Sequence, residues 1–379
     1  MFSPDFTGLL SEALGPENAR IVTDALGADP SVSIRLNPSK LREVPFEGAT
    51  PVPWSPYGYL LTERPSFTLD PLFHAGCYYV QDSSAMFVGE LFRRTAGTEV
   101  RTVLDLCAAP GGKTTDLATS LRDRRGDDFL LVANEVMHSR FRILQENVSI
   151  WGDPQVGVLS RDPSAFPQRA VFDAIVADVP CSGEGMFRKD AGAVADWSLK
   201  TVDFCAARQR RILSDIWPSL KEGGLLIYST CTFNRRENDE NVAWMAAELG
   251  AEIMDPGDIC GVYRTEHGYA LLPGRVPGEG QYAAALRKTA PALTPGRKNP
   301  LDGMGIRFPV VPFEGPRWEV DRATALHYLH GDALSLPEAP LGVITLTFSG
   351  HPLGMAKNLG RRCNNLYPKE RRIKMDIKI

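Results

Sequence analysis

The sequence contains no Cys-x-x-Cys pair, and its seven cysteines (Cys77, Cys107, Cys181, Cys205, Cys231, Cys260 and Cys363) are scattered and odd in number. Structural zinc sites and disulfide frameworks need paired or clustered cysteines, so neither is expected, and free thiols in a reducing compartment are. No apolar stretch reaches the roughly 20 residues that a membrane helix needs. The opening Met1-Phe2-Ser3-Pro4-Asp5 has no basic region and no long apolar run. A cytoplasmic protein with no membrane partner is the expectation, acting as a monomer. Internal repeats and low-complexity tracts are also missing, which leaves an ordinary globular chain.

Net charge is only −4, which does not announce a nucleic-acid binder. The charge is uneven, however. Residues 356–379 carry Lys357, Arg361, Arg362, Lys369, Arg371, Arg372, Lys374 and Lys378 against Glu370 and Asp376. That run is basic enough for a local phosphate-facing patch.

At 379 residues, the usual ~100–200 residues per domain predicts two or three units. Residues 1–75 open with helix-like stretches at 6–14 and 16–26. Pro38, Pro45, Pro51, Pro53, Pro56, Pro65 and Pro71 follow and should break regular structure, which suggests a small accessory domain. Residues 76–292 alternate apolar runs (103–106, 130–134, 174–178, 224–228) with helix-like stretches (113–121, 139–151, 202–220). Such β-α alternation predicts a doubly wound, Rossmann-like α/β sheet with its site at the carboxyl ends of the strands. Residues 293–315 read as linker, and 316–379 as a small terminal domain with a strand at 342–348.

The first strand runs into Cys107-Ala108-Ala109-Pro110-Gly111-Gly112-Lys113. Small residues and two glycines let the backbone approach a ligand, and the helix that follows offers free N–H groups to an anionic end. A Walker A loop requires glycine where Cys107 stands, and the G-x-G-x-x-G fingerprint is absent. The remaining adenine cofactor for such a turn is S-adenosylmethionine, which has a carboxylate and an adenosine but no phosphate. Acids at successive strand ends fit it: Glu135 could take both ribose hydroxyls, Asp162 could accept from the adenine amino group, and Asp178 ends the fourth strand. A lone acid at such a place is an ordinary cap or turn residue; three in register point to a ligand.

Two further strand ends carry cysteine, in Asp178-Val179-Pro180-Cys181-Ser182-Gly183 and Ser229-Thr230-Cys231-Thr232. Singly, each could be a small core residue. Paired at the ligand end of a sheet, they suit methylation at carbon 5 of cytosine. That carbon is a poor nucleophile until a thiolate adds to carbon 6 and makes the ring enamine-like. Asp178 is a candidate partner for ring nitrogen 3. Arg188, Lys189, Arg235 and Arg236, close in sequence, are candidates to favour a thiolate.

These strings, with Arg236-Glu237-Asn238-Asp239-Glu240-Asn241 behind them, resemble the Nop/Sun family of RNA 5-methylcytosine methyltransferases over residues 30–290. The resemblance implies that Cys231 is the nucleophile, that Cys181 assists product release, and that cofactor contacts fall on 107–113, Glu135, Asp162 and Asp178. Arg140 and Asn147 also match the family's helix after the second strand. His351-Pro352-Leu353-Gly354-Met355-Ala356-Lys357 through Lys369 is similar to the PUA-like module of the bacterial RsmF-type enzymes, which implies structured RNA, 16S ribosomal RNA, as partner. Cys363 stands there where a lysine is usual, and Leu366 where a histidine is. In Gly278-Glu279-Gly280-Gln281-Tyr282 the family's aromatic pair is reduced to Tyr282. The same reaction on transfer RNA, and a catalytically silent RNA-binding assembly factor, stay open at this point.

Overall fold

The computed structural model describes residues 2–259, 261–293, 299–309 and 315–377. Cys260, Lys378 and the linker positions 294–298 and 310–314 lie outside the described residues.

The four apolar runs fold as strands Thr102–Asp105, Leu130–Asn134, Phe172–Asp178 and Leu220–Thr230, all in one sheet. Thr102–Asp105 lies between Leu130–Asn134 and Phe172–Asp178; Val156–Leu159 and Leu220–Thr230 flank these, and all five are parallel. Strand order reverses at Thr102–Asp105, the switch point outside which open α/β sheets bind ligands. Alternate side chains of each strand enter two separate cores, as a two-residue period requires. Val103, Leu131, Val176 and Ile227 pack with Phe87, Leu117 and Leu144. Leu104, Val132, Ile175 and Leu226 pack with Phe166, Ile212 and Val242. Helices Gly112–Arg125, His138–Trp151 and Leu199–Ile216 occupy the predicted stretches.

Gln281–Lys288 extends this sheet antiparallel to Leu220–Thr230, with Tyr282 opposite Thr230. The proline-rich N-terminal stretch, expected to lack regular structure, instead forms a four-stranded antiparallel sheet of Val32–Leu36, Thr50–Pro51, Gly58–Leu61 and Tyr78–Val80. Short strands between the prolines, with Pro51 on an edge strand, reconcile the two. The preceding helix, Pro4–Leu26, is broken at Gly15 (φ 77°). The C-terminal strands Arg317–Glu319, Gly342–Phe348, His351–Asn358 and Cys363–Asn365 form a third sheet beside helix Arg322–His330. This unit shares one core with the N-terminal sheet, in which Ile34, Leu36, Phe67 and Tyr78 meet Leu326, Leu329, Ile344 and Leu346.

Part of the expected linker is docked. Arg307 and Val158 exchange backbone hydrogen bonds (2.7 and 2.9 Å), and Leu301 and Met304 are buried in the second core. A Cβ on Gly157 would lie 2.3 Å from Ile306 Cγ2, so glycine is needed for this approach. Among the described residues no helix is long and apolar enough to cross a membrane.

Candidate active site

The turn after Thr102–Asp105 ends at Gly111, whose φ of 112° is open to glycine alone at little cost. Gly112 then starts the helix with its amides unpaired. Four side chains hold the turn. Thr114 Oγ1 donates to the buried Asp105 Oδ2 (2.6 Å), and burial pushes the Asp105 carboxyl up to about 7. Arg140 Nη2 donates to Ala109 O (2.6 Å) and Asn147 Nδ2 to Pro110 O (2.7 Å), which gives both helix residues a structural use. Arg35, fully buried, donates from the N-terminal sheet to Gly112 O (3.1 Å) and Gln81 Oε1 (2.9 Å). No motif marks Arg35 in the sequence. Burial raises the Cys107 thiol, which favours its neutral form.

Glu135 is 3 % exposed at the end of its strand. Its Oε1 accepts from Met137 N (2.9 Å), while Oε2 accepts no hydrogen bond and has Arg140 Nη1 at 3.6 Å. Asp162 caps the short turn Pro163–Ala165, accepting from Ser164 N (3.1 Å) and Ser164 Oγ (2.7 Å), and these bonds hold its carboxyl below the usual range. Beside it lies a cavity of about 460 Å³ lined by His138, Phe141, Arg161, Met304 and Arg307. An open turn, a buried carboxylate oxygen without a donor and an adjoining cavity fit S-adenosylmethionine.

Asp178 joins the turn to the cysteines. Its Oδ2 accepts from Lys113 Nζ (2.9 Å); its Oδ1 accepts from Ser229 Oγ (2.7 Å) and Gln281 Nε2 (3.1 Å). Burial opposes the charge on Lys113, but Asp178 outweighs it with a contribution from Cys231, so the ammonium form is favoured overall.

Cys181 and Cys231 are free thiols with their sulfurs 3.2 Å apart. The hydrogen bond between them, with burial, pushes the Cys181 thiol well up. Either sulfur can donate in this contact. The two loops are tied beneath the sulfurs: Ser182 and Thr232 hydroxyls are 3.0 Å apart, and Gly185 N donates to Cys231 O (2.9 Å). Glu237 accepts from Ser182 N (3.0 Å), Gln209 Nε2 (2.7 Å) and Asn234 Nδ2 (2.9 Å). Burial pushes Glu237 up to about 7.

The expected basic neighbours are engaged elsewhere. Arg235 pairs with Glu266 (2.5 Å), Arg236 with Asp203 (2.7 Å), and Arg188 and Lys189 with Glu279 (both 3.5 Å). Lys113, which belongs to the cofactor turn and is ion-paired to Asp178, is a cation that Cys231 influences electrostatically. Of the C-terminal basic residues, Lys357, Arg361, Arg362, Lys369 and Lys374 are exposed, whereas Arg371 is tied to Glu146 (3.0 Å).

An open parallel sheet with this turn, these strand-end acids and no phosphate loop defines a Rossmann-like, S-adenosylmethionine-dependent methyltransferase. The chain belongs to the 16S rRNA methyltransferase RsmB/F family, whose model matches residues 96–287. Models of the N-terminal domain of 16S rRNA methyltransferase RsmF and of the methyltransferase RsmF PUA domain match residues 2–83 and 316–373. It is an RNA methyltransferase with S-adenosylmethionine as methyl donor. Ribosomal RNA small subunit methyltransferase F of Cronobacter sakazakii is 32% identical, covering 85% of this chain and 84% of the relative. The Klebsiella pneumoniae protein of the same name is 30% identical, covering 89% of each. A methyltransferase homologue from Pyrococcus horikoshii matches in structure with TM-score 0.63 at 26% identity, covering 76% of this chain and 95% of that one.

Proposed function

We propose that this enzyme methylates carbon 5 of a cytosine in 16S ribosomal RNA, with Cys231 as covalent nucleophile. The observation that carries the reading is the thiol pair set beside the Lys113–Asp178 ion pair. A methyltransferase acting on an exposed nitrogen or oxygen has no use for two thiols at its reacting end. The small-subunit RNA follows from the relatives, which are named for it.

Lys113 and the turn 107–112 would hold the cofactor's methionine end, Glu135 the ribose and Asp162 the adenine. When bound, S-adenosylmethionine supplies an electrophilic methyl group. Cys231 adds to carbon 6, and the displaced electron pair moves toward ring nitrogen 3, where Asp178 can pass on a proton from Lys113. Carbon 5 is then nucleophilic and would take the methyl group, the methyl–sulfur pair staying on the cofactor's sulfur while nitrogen 3 returns its proton to the Lys113–Asp178 pair. A base must next remove the carbon 5 proton, whose bonding pair re-forms the ring double bond while the carbon–sulfur pair leaves on Cys231. Cys181, touching that sulfur, assists the departure. The target base has to leave its stack to reach the thiols.

In this reading residues 1–75 are an RNA-recognition accessory domain, 76–292 the catalytic domain and 316–379 the PUA-like RNA-binding domain. The enzyme acts as a cytoplasmic monomer. The test is methyl incorporation into purified small ribosomal subunits, naked 16S ribosomal RNA and bulk transfer RNA, followed by identification of the modified nucleoside. 5-Methylcytosine at a defined position of the small-subunit RNA is expected. Incorporation into transfer RNA alone, or a different modified nucleoside, overturns the proposal.

A further inference from the structure

Gln281 starts the antiparallel strand one residue before Tyr282, whose register partner is Thr230. It thus lies beside the end of the strand that leads into Cys231, and it is only 3 % exposed. Its Nε2 donates to Asp178 Oδ1 (3.1 Å). A carboxylate ion-paired with lysine only accepts, so this bond decides which end of the amide meets Asp178. The carbonyl oxygen, Oε1, accepts from no described residue. Its backbone has little freedom: Glu279 N donates to Asp82 Oδ2 (2.9 Å) and Gly280 N to Ser84 Oγ (3.2 Å). A Cβ on Gly280 would lie 2.5 Å from the Phe233 ring. The result is a held, nearly buried acceptor beside Asp178.

We infer that Gln281 is a specificity-determining residue, accepting at Oε1 a hydrogen bond from the exocyclic 4-amino group of the target cytosine while Asp178 serves ring nitrogen 3. The inference rests on the cytosine reading above. Nitrogen 3 and the 4-amino group are neighbours on one edge of the base, as Asp178 and the Gln281 amide are neighbours in the site. Uracil presents a 4-oxo group instead, acceptor against acceptor, and a site built to hydrogen-bond a group rejects the analogue lacking it.

A double-mutant cycle tests this. Wild type and Gln281→Leu are each given RNA with cytosine, or with 2-pyrimidinone (cytosine without its amino group), at the mapped position, and single-turnover methylation rates are measured. Calorimetry with S-adenosylhomocysteine checks that the variant is folded; should it lose that binding, Gln281→Met, closer in shape, takes its place. Each single change should slow methylation on the order of 10-fold or more, and both together no more than either alone. A wild type that methylates cytosine while the two penalties multiply overturns the inference alone. A wild type that leaves cytosine unmethylated overturns the underlying reading and this inference with it.

Discussion

Cys181 and Cys231, 50 residues apart in sequence, hold their sulfur atoms 3.2 Å from each other. At that distance the two thiols share a hydrogen bond that either can donate, and removing one changes the chemistry open to the other. Cys231→Ala should retain S-adenosylhomocysteine binding and lose all but a few per cent of turnover. Cys181→Ala should still attack and methylate but accumulate a covalent protein–RNA adduct that survives denaturing electrophoresis. The double variant should show none. Normal turnover by Cys181→Ala without adduct would refute the division of labour.

Cofactor affinity should depend more on Glu135 than on Asp162. Glu135 Oε2 is buried without a donor, whereas Asp162 is already occupied by Ser164. Removing a buried acceptor that the ligand satisfies typically costs ~1–3 kcal/mol. Calorimetry with S-adenosylhomocysteine on Glu135→Ala and Asp162→Ala measures both, and equal or absent losses would relocate the adenosine.

Stability should fall as pH rises from about 4 toward neutrality. Burial raises Asp105 from 3.8 to about 7 and Glu237 from 4.5 to about 7. A carboxyl raised in the folded state contributes stability that is complete below its unfolded pKa and lost as pH climbs through the folded value. The loss therefore falls between about pH 4 and about pH 7. Asp105→Asn has no proton to lose there and should show a flatter melting temperature across that window. An unchanged pH profile would show that Asp105 does not titrate in it.

RNA affinity should weaken with salt through the exposed C-terminal cations, each released counterion adding to the slope. Deleting everything from 316 would also bare Ile34, Leu36 and Tyr78, which share a core with that unit, so point changes are the cleaner test. Arg361→Gln with Arg362→Gln should lower the slope of log affinity against log salt by on the order of one to two and spare cofactor binding. An unaltered slope would make this run a solvated surface.

The central sheet was legible because four of its five parallel strands, buried on both faces, leave continuous apolar runs, and because the turn at 107–113 has a composition few other turns share; Val156–Leu159 was not among the runs read. Cys181, Cys231 and Asp178 were legible as strand ends. Arg35 was not, since a lone arginine in a short strand carries no local sign that it reaches a backbone carbonyl at Gly112. The N-terminal sheet was hidden by prolines that sit between and at the edges of its strands. The choice of Lys113 over Arg188, Arg235 and Arg236 as the cation near Cys231 is likewise tertiary: sequence proximity suggested the arginines, and the fold turned them to Glu279, Glu266 and Asp203.

Val156–Leu159 ends the described order of the central sheet, and its Val-Gly-Val-Leu backbone would be an open template for a second chain were Arg307 not bonded to Val158. Proteins that leave such an edge bare tend to pair through it and aggregate. The stretch around Met304 to Arg307 is therefore a guard against self-association as much as a connection between domains. An enzyme shortened to the proposed catalytic boundary at 292 would lose that guard together with one wall of the cavity beside Asp162.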